Sequence, residues 1–186
     1  MLALHTIESR LEDWLADGEY EGNLPLTLRS KKDALEKFIW FLNEHGITQV
    51  RSADVKRFLA HVKNGHLEPN GRFGARSSRS YRPVADRTVQ LYFVNIRCFF
   101  GFLAEEGDCA QSPLLGVKQP RSPKPKIKPL SVEEIVALIQ ATKTAFTHNR
   151  ERNEAIIYFL FDTGVRVAEM CSLRVEDSTY RAAWQR

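Results

Sequence analysis

The sequence predicts a mainly α-helical protein. Apolar residues recur at offsets of three and four through most of its length, and no alternation of apolar and polar residues extends beyond a few positions. A Pro- and Lys-rich stretch near residue 120 divides two such helical regions.

The first helical stretch spans residues 4–16. Leu4, Ile7, Leu11, Trp14 and Leu15 form one stripe there, with acidic residues opposite. Gly22 and Pro25 break the pattern, and Thr27 is the expected N-cap of a helix reaching Glu44, with Gly46 as its stop. Leu35, Phe38, Ile39, Phe41 and Leu42 are its expected buried stripe. Ser52 is the expected cap of a shorter helix carrying Val55, Phe58, Leu59 and Val62. Residues 64–85 hold no period and read as a long basic loop, along which Arg72, Arg76, Arg79 and Arg82 are spaced. A helix of about twenty residues is expected from Asp86, with Val89, Phe93, Ile96, Phe100 and Leu103 along one side and Leu91, Tyr92, Phe99 and Phe102 widening it. Four such helices can bury an independent core.

Five of the eight prolines fall within residues 113–129, together with Lys118, Arg121, Lys124, Lys126 and Lys128 and no acidic residue. Proline fixes the backbone in extended forms, so this stretch reads as a semi-rigid linker. Its cations suggest a path along a polyanion; a solubilising hinge is the alternative reading. Beyond it, Ser131-x-x-Glu134 is a capping box opening a helix with Val132, Ile135, Val136 and Ile139 on one face. A second helix over about 149–162 carries Ala155, Ile156, Tyr158, Phe159 and Leu160 as buried candidates, and a third follows Gly164. The domains expected are therefore 1–112, the linker 113–129, and 130–186.

With 186 residues, 43% hydrophobic and 27% charged, the composition is that of a globular protein and excludes wholesale disorder. No apolar run approaches the roughly 20 residues of a membrane span, and the N-terminus lacks the basic start and apolar core of a secretory signal. Three widely spaced cysteines, Cys98, Cys109 and Cys171, favour reduced thiols and a cytoplasmic location. Cys98, on the long apolar helix, reads as core filler. His61 and His66, five apart, have no ligand set beside them, so no metal site is expected.

The net charge of +4 is unevenly spread: residues 51–128 hold 15 Lys/Arg against 6 Asp/Glu, while residues 1–50 hold 5 against 9. Such segregation is the footprint expected for a nucleic-acid partner, although basic faces also serve as solvated surface. The residues expected to meet duplex DNA are Arg29, Lys31 and Lys32; Arg76, Arg79, Arg82 and Arg87, with Gln90 and Arg97 on the long helix; and Lys118, Arg121, Lys124, Lys126 and Lys128 in the linker. Most would touch phosphates, with base reading confined to the neighbourhood of Arg87, Gln90 and Arg97.

Thr163-Gly164-Val165-Arg166-Val167-Ala168-Glu169 is the most informative segment. Gly164 permits a tight turn between helices, and Glu169 lies one turn beyond Arg166 on the same side, where it can orient the guanidinium. A guanidinium so fixed is suited to gripping a phosphate; an i, i+3 surface ion pair is the other reading. With Leu173 and Asp177, these residues match T-G-x-R-x-x-E-x-x-x-L followed by an acid. In this the chain resembles the tyrosine recombinases, or phage integrase family. The stretches ADRTVQLYFVNIRCFFGFLAEEGDCAQSPLLGVKQPR and PKPKIKPLSVEEIVALI are similar to the family's last core-binding helix and to its linker with the first catalytic-domain helix.

The resemblance implies a SAM-like helical core-binding domain followed by the opening helices of an α/β catalytic domain, clamped around double-stranded DNA. It also implies covalent strand exchange through a tyrosine without metal or small-molecule cofactor, and other recombinase protomers as partners. Arg166 would be the first catalytic arginine and Glu169 the acidic residue positioning the active-site groups. The family's H-x-x-R box and distal nucleophilic tyrosine do not occur in the 20 residues after Arg166. The chain is accordingly expected to be a truncated recombinase that is inactive alone, or else a small helical regulator or dominant-negative partner of a full-length relative. A helical protein-interaction module with an incidental basic linker is the third possibility. The apolar residues beyond 130 are expected to be incompletely covered.

Overall fold

A computed structural model of the chain describes residues 2–65, 71–74, 82–123, 128–144 and 149–177. It is mainly α-helical and divides into two compact units, Met1–Pro125 and Lys126–Arg186.

The first unit opens with a two-residue strand, β1 (Leu2–Ala3), antiparallel to β2 (Gln49–Val50) in the register Leu2 to Val50. Pairs this short leave no readable alternation in the sequence. Between them lie α1 (Leu4–Ser9), α2 (Leu11–Tyr20) and α3 (Pro25–Glu44), and α4 (Ser52–Lys63) follows β2 directly. The expected single helix over 4–16 is two helices, broken at Arg10 and running on to Tyr20, yet Ile7, Leu11 and Trp14 keep one buried stripe across the break. Pro25, read as a breaker, instead starts α3 at its first position. A proline there forfeits only an N–H that has no intrahelical partner, and its fixed φ is already helical. Leu24 is the cap residue, so Thr27 lies within the helix. In α4, Ser52 is the first helical residue, and the capping group is Asp54, whose carboxylate accepts the Arg51 N–H at 3.0 Å.

The long helix α5 (Asp86–Glu105) supplies the centre of the core. Val89, Phe93, Ile96, Phe99, Phe100 and Leu103 are buried against α2, α3 and α4 through edge-on aromatic pairs. These are Trp14 with Phe99 (5.3 Å between centroids) and Phe38 with Phe100 (6.2 Å), and Phe38 is also edge-on to Phe58 of α4 (5.1 Å). Two expectations for this helix fail. Leu91 is 49% exposed, and Cys98 lies on the surface rather than in the core.

Arginines do structural work here that no local pattern announces. Arg10 donates from Nε to Asp108 (2.8 Å) and from Nη2 to Glu106 (3.0 Å), and also pairs with Asp13, pinning the α1–α2 joint to the end of α5. The Asp108 bond leads in raising its pKa, against partial burial. Arg72, expected along an open basic loop, is buried. Its guanidinium donates to the Asn64 carbonyl (3.0 Å) and to the Arg82 carbonyl, holding together backbone on either side of it. Burial lowers its pKa.

In the second unit, α6 (Val132–Thr144) and α7 (Arg150–Thr163) pack together, and α8 (Val167–Ser172) leads to a 3₁₀ turn, Val175–Asp177. The Ser131–Glu134 capping box forms as expected: the Ser131 N–H donates to Glu134 Oε2 (2.8 Å) and the Glu134 N–H to Ser131 Oγ (3.3 Å). Burial is sparse. Ile139 is the one buried apolar side chain among the described residues of this unit. Tyr158, Phe159, Phe161, Val167 and Leu173 are all more than a third exposed, and an open apolar cleft is lined by Leu130, Ile135, Leu138, Ile157, Leu160 and Phe161.

With so little buried surface, α6 and α7 should open locally at low cost. Native-state hydrogen exchange is expected to show their amides exchanging at denaturant concentrations that leave α3 and α5 protected. Equal protection in both units would show that the exposed apolar residues of α6 and α7 are covered in solution.

Candidate functional site

The turn into α8 is built by its own residues. Gly164 ends α7 with φ +65°, a left-handed conformation that side chains with a Cβ rarely adopt. The Thr163 hydroxyl folds back onto the Phe159 carbonyl at 2.6 Å. Arg166 follows in extended conformation as the residue capping α8, one position before the helix rather than inside its first turn.

Glu169 then binds Arg166 twice. One carboxylate oxygen accepts the backbone N–H at 2.8 Å, and the other accepts Nη1 of the guanidinium at 2.8 Å. The backbone bond and then the guanidinium hold the Glu169 carboxyl below its ordinary range, so it stays ionised at neutral pH and this cap is released only as pH falls through the lowered value. The Arg166 side chain is 85% exposed. Its guanidinium is therefore anchored at one edge and open to solvent elsewhere, an arrangement that can receive a second oxyanion. Asp177 closes the segment, accepting the Arg174 N–H at 2.8 Å.

The cations expected to meet DNA differ in how they are engaged. In the first unit Arg29 is exposed, whereas Lys32 is paired with Glu12 (2.7 Å), which raises its pKa, and Lys31 lies over the Trp14 ring at 4.9 Å. On α5, Arg87 donates to Gln90 Oε1 at 2.6 Å, and Arg97 projects to solvent. Arg82, Lys118 and Arg121 are exposed, and Arg121 shares an open cleft with Gln90, Gln119 and Pro120. In the second unit Lys128 is nearly fully exposed, 3.5 Å from Glu134. Arg76, Arg79, Lys124 and Lys126 lie outside the described residues. Among the described residues no group of three or more His, Cys, Asp or Glu could hold a metal ion, and no helix is long and apolar enough to cross a membrane.

Residues 128–184, which include the whole Arg166 segment, match the phage integrase family. Tyrosine recombinase XerD of Listeria monocytogenes serotype 4b (strain F2365) is 26% identical over 157 residues, covering 78% of this chain and 52% of that protein. XerC of Bacillus pumilus (strain SAFR-032) is 28% identical over 155 residues, covering 82% and 45%. XerA of Pyrococcus furiosus is 27% identical over 158 residues, covering 83% and 51%. The chain is therefore similar to the tyrosine recombinases of the phage integrase family. It spans about half the length of the curated relatives it matches. No solved structure matches it.

Two features fall outside the expected set of DNA-facing residues. Arg51 and Arg57, outside the expected DNA set, both lie within 4 Å of the buried Asp54 carboxylate while remaining more than half exposed. The outer face of α5 carries apolar Leu91 and Val94 between its cations, where the sequence pointed to a polar reading face near Arg87, Gln90 and Arg97 alone.

Proposed function

We propose that this chain is the DNA-binding portion of a site-specific tyrosine recombinase together with the first arginine of its catalytic set. In this reading residues 1–112 are a SAM-like core-binding domain, 113–129 a basic linker tracking the duplex, and 130–186 the beginning of the catalytic domain. The observation that carries it is the Arg166–Glu169 pair in the family segment: a solvent-facing guanidinium whose orientation is fixed by a carboxylate through two bonds of 2.8 Å. Arg166 would bind a non-bridging oxygen of the scissile phosphate and stabilise the charge that grows there in the transition state. Glu169 would position Arg166 and neutralise part of its charge between turnovers. The nucleophile and the H-x-x-R groups are not among these 186 residues, so the chain by itself would bind duplex without cutting it.

Titrating a labelled mixed-sequence duplex with the chain at low salt is expected to give saturable binding. Arg166→Ala should weaken it by about tenfold, the low end for a charged hydrogen bond, because the site is open to water. A nicked duplex should trap no covalent adduct. Absence of duplex binding at low salt would overturn the reading, and a trapped adduct would overturn the assignment of an incomplete catalytic set.

A further inference from the structure

The outer face of α5 combines charge, apolar exposure and shape in a way that the proposed duplex binding alone does not require. At about 100° per residue, Arg87, Gln90, Leu91, Val94 and Arg97 fall within about 120° of one another, opposite the buried stripe of Phe93, Ile96, Phe100 and Leu103. The helix satisfies its packing without Leu91 and Val94, which are 49% and 38% exposed. From Arg87 to Ala104 there is no Asp or Glu. Asp86 at the start is engaged by Lys63 at 2.5 Å. An exposed helix face without a carboxylate, with arginines at both ends of an apolar pair, is complementary to a polyanion that also offers apolar groups. Duplex DNA does so in the major groove, through thymine methyls.

We propose that Leu91 and Val94 are specificity-determining residues that contact thymine C5-methyl groups in the major groove, flanked by Arg87 and Arg97 on phosphates or guanine edges. This rests on the duplex-binding reading above. The span from residue 87 to 97 is about 15 Å along the helix, about four base-pair steps. Towards its end the face narrows to Cys98 and Gly101, and a Cβ at Gly101 would meet nothing within 4 Å, so no bulky side chain holds the backbone away from a groove wall. The Arg87–Gln90 bond occupies Gln90 Oε1 and leaves its amide N–H groups to donate to a base edge.

The test uses the full chain and a random-sequence duplex library. Selected duplexes should be enriched in thymine at two positions within a four-base-pair window. Replacing each such thymine by uracil, which removes only the methyl, should weaken wild-type binding about fourfold, the equivalent of ~0.8 kcal/mol for one buried methyl. The Leu91→Ala/Val94→Ala variant, altered only at exposed positions, should keep its melting temperature and bind thymine and uracil duplexes alike, while Leu91→Met retains a thymine preference. An unchanged uracil penalty in the double variant, or duplex binding without thymine enrichment, overturns this inference and leaves the duplex-binding reading standing. Absence of duplex binding overturns both. Self-association that is abolished by the double variant, with the uracil penalty intact, would place a second copy on this face instead.

Discussion

Replacing Phe38 by alanine is expected to cost the first unit about 3–5 kcal/mol, the usual toll for emptying a fully enclosed aromatic site. Phe38 has no solvent exposure and sits where α3, α4 and α5 meet, edge-on to both Phe58 and Phe100. Its loss removes the transfer energy of the ring, leaves a void, and breaks two aromatic pairs that contribute beyond their buried area. Because domains are commonly stable by only about 5–15 kcal/mol, the loss is a large share of the total. Urea titration followed by far-ultraviolet circular dichroism should show a lower midpoint with little change in slope. The control lies in the same chain. Phe161→Ala, at a ring 61% exposed in the second unit, should shift stability by no more than about 0.5 kcal/mol. Equal effects at the two positions would mean that the ring on α7 is covered in solution.

What the sequence made legible follows the range of the interactions involved. The Ser131–Glu134 box and the Arg166–Glu169 pair are three residues apart, so spacing alone specifies them. Gly164 could be read as a stop because its left-handed conformation is a local requirement. Two of the three partners of Arg10, Glu106 and Asp108, are 96 and 98 residues away, and no local pattern encodes them. Arg72 is likewise indistinguishable in sequence from the other arginines of its loop; only the packing around Asn64 and Arg82 makes it a buried brace. On α5 the periodicity located the buried side but not its width. Leu91 and Val94 have the hydropathy of core residues and an angular position on the outside, a conflict that periodicity resolves poorly when a helix is apolar around most of its circumference. The first arginine of the candidate site was therefore legible, whereas the character of the α5 surface required coordinates.

Duplex affinity should fall several hundredfold between 50 and 200 mM salt, and the engaged and unengaged cations should contribute differently to that fall. Each phosphate neutralised releases condensed counterions, giving a logarithmic slope of about −0.9 per contact. Arg29, Arg82, Arg97, Lys118 and Arg121 are exposed and, among the described residues, held in no ion pair. Five such contacts give a slope near −4.5, about 500-fold over a fourfold change in salt. Lys32 differs because it already has Glu12 at 2.7 Å. Turning it to a phosphate would leave that carboxylate facing the duplex, so its net electrostatic contribution is small. Arg97→Gln and Arg121→Gln should therefore each flatten the slope by about one, and Lys32→Gln should leave it unchanged, as read by fluorescence anisotropy across a salt series. If Lys32→Gln flattened the slope as much as Arg97→Gln, the ion pairs would not be sorting the cations. If the slope of the unaltered chain were near zero, what binds DNA would not be this basic surface.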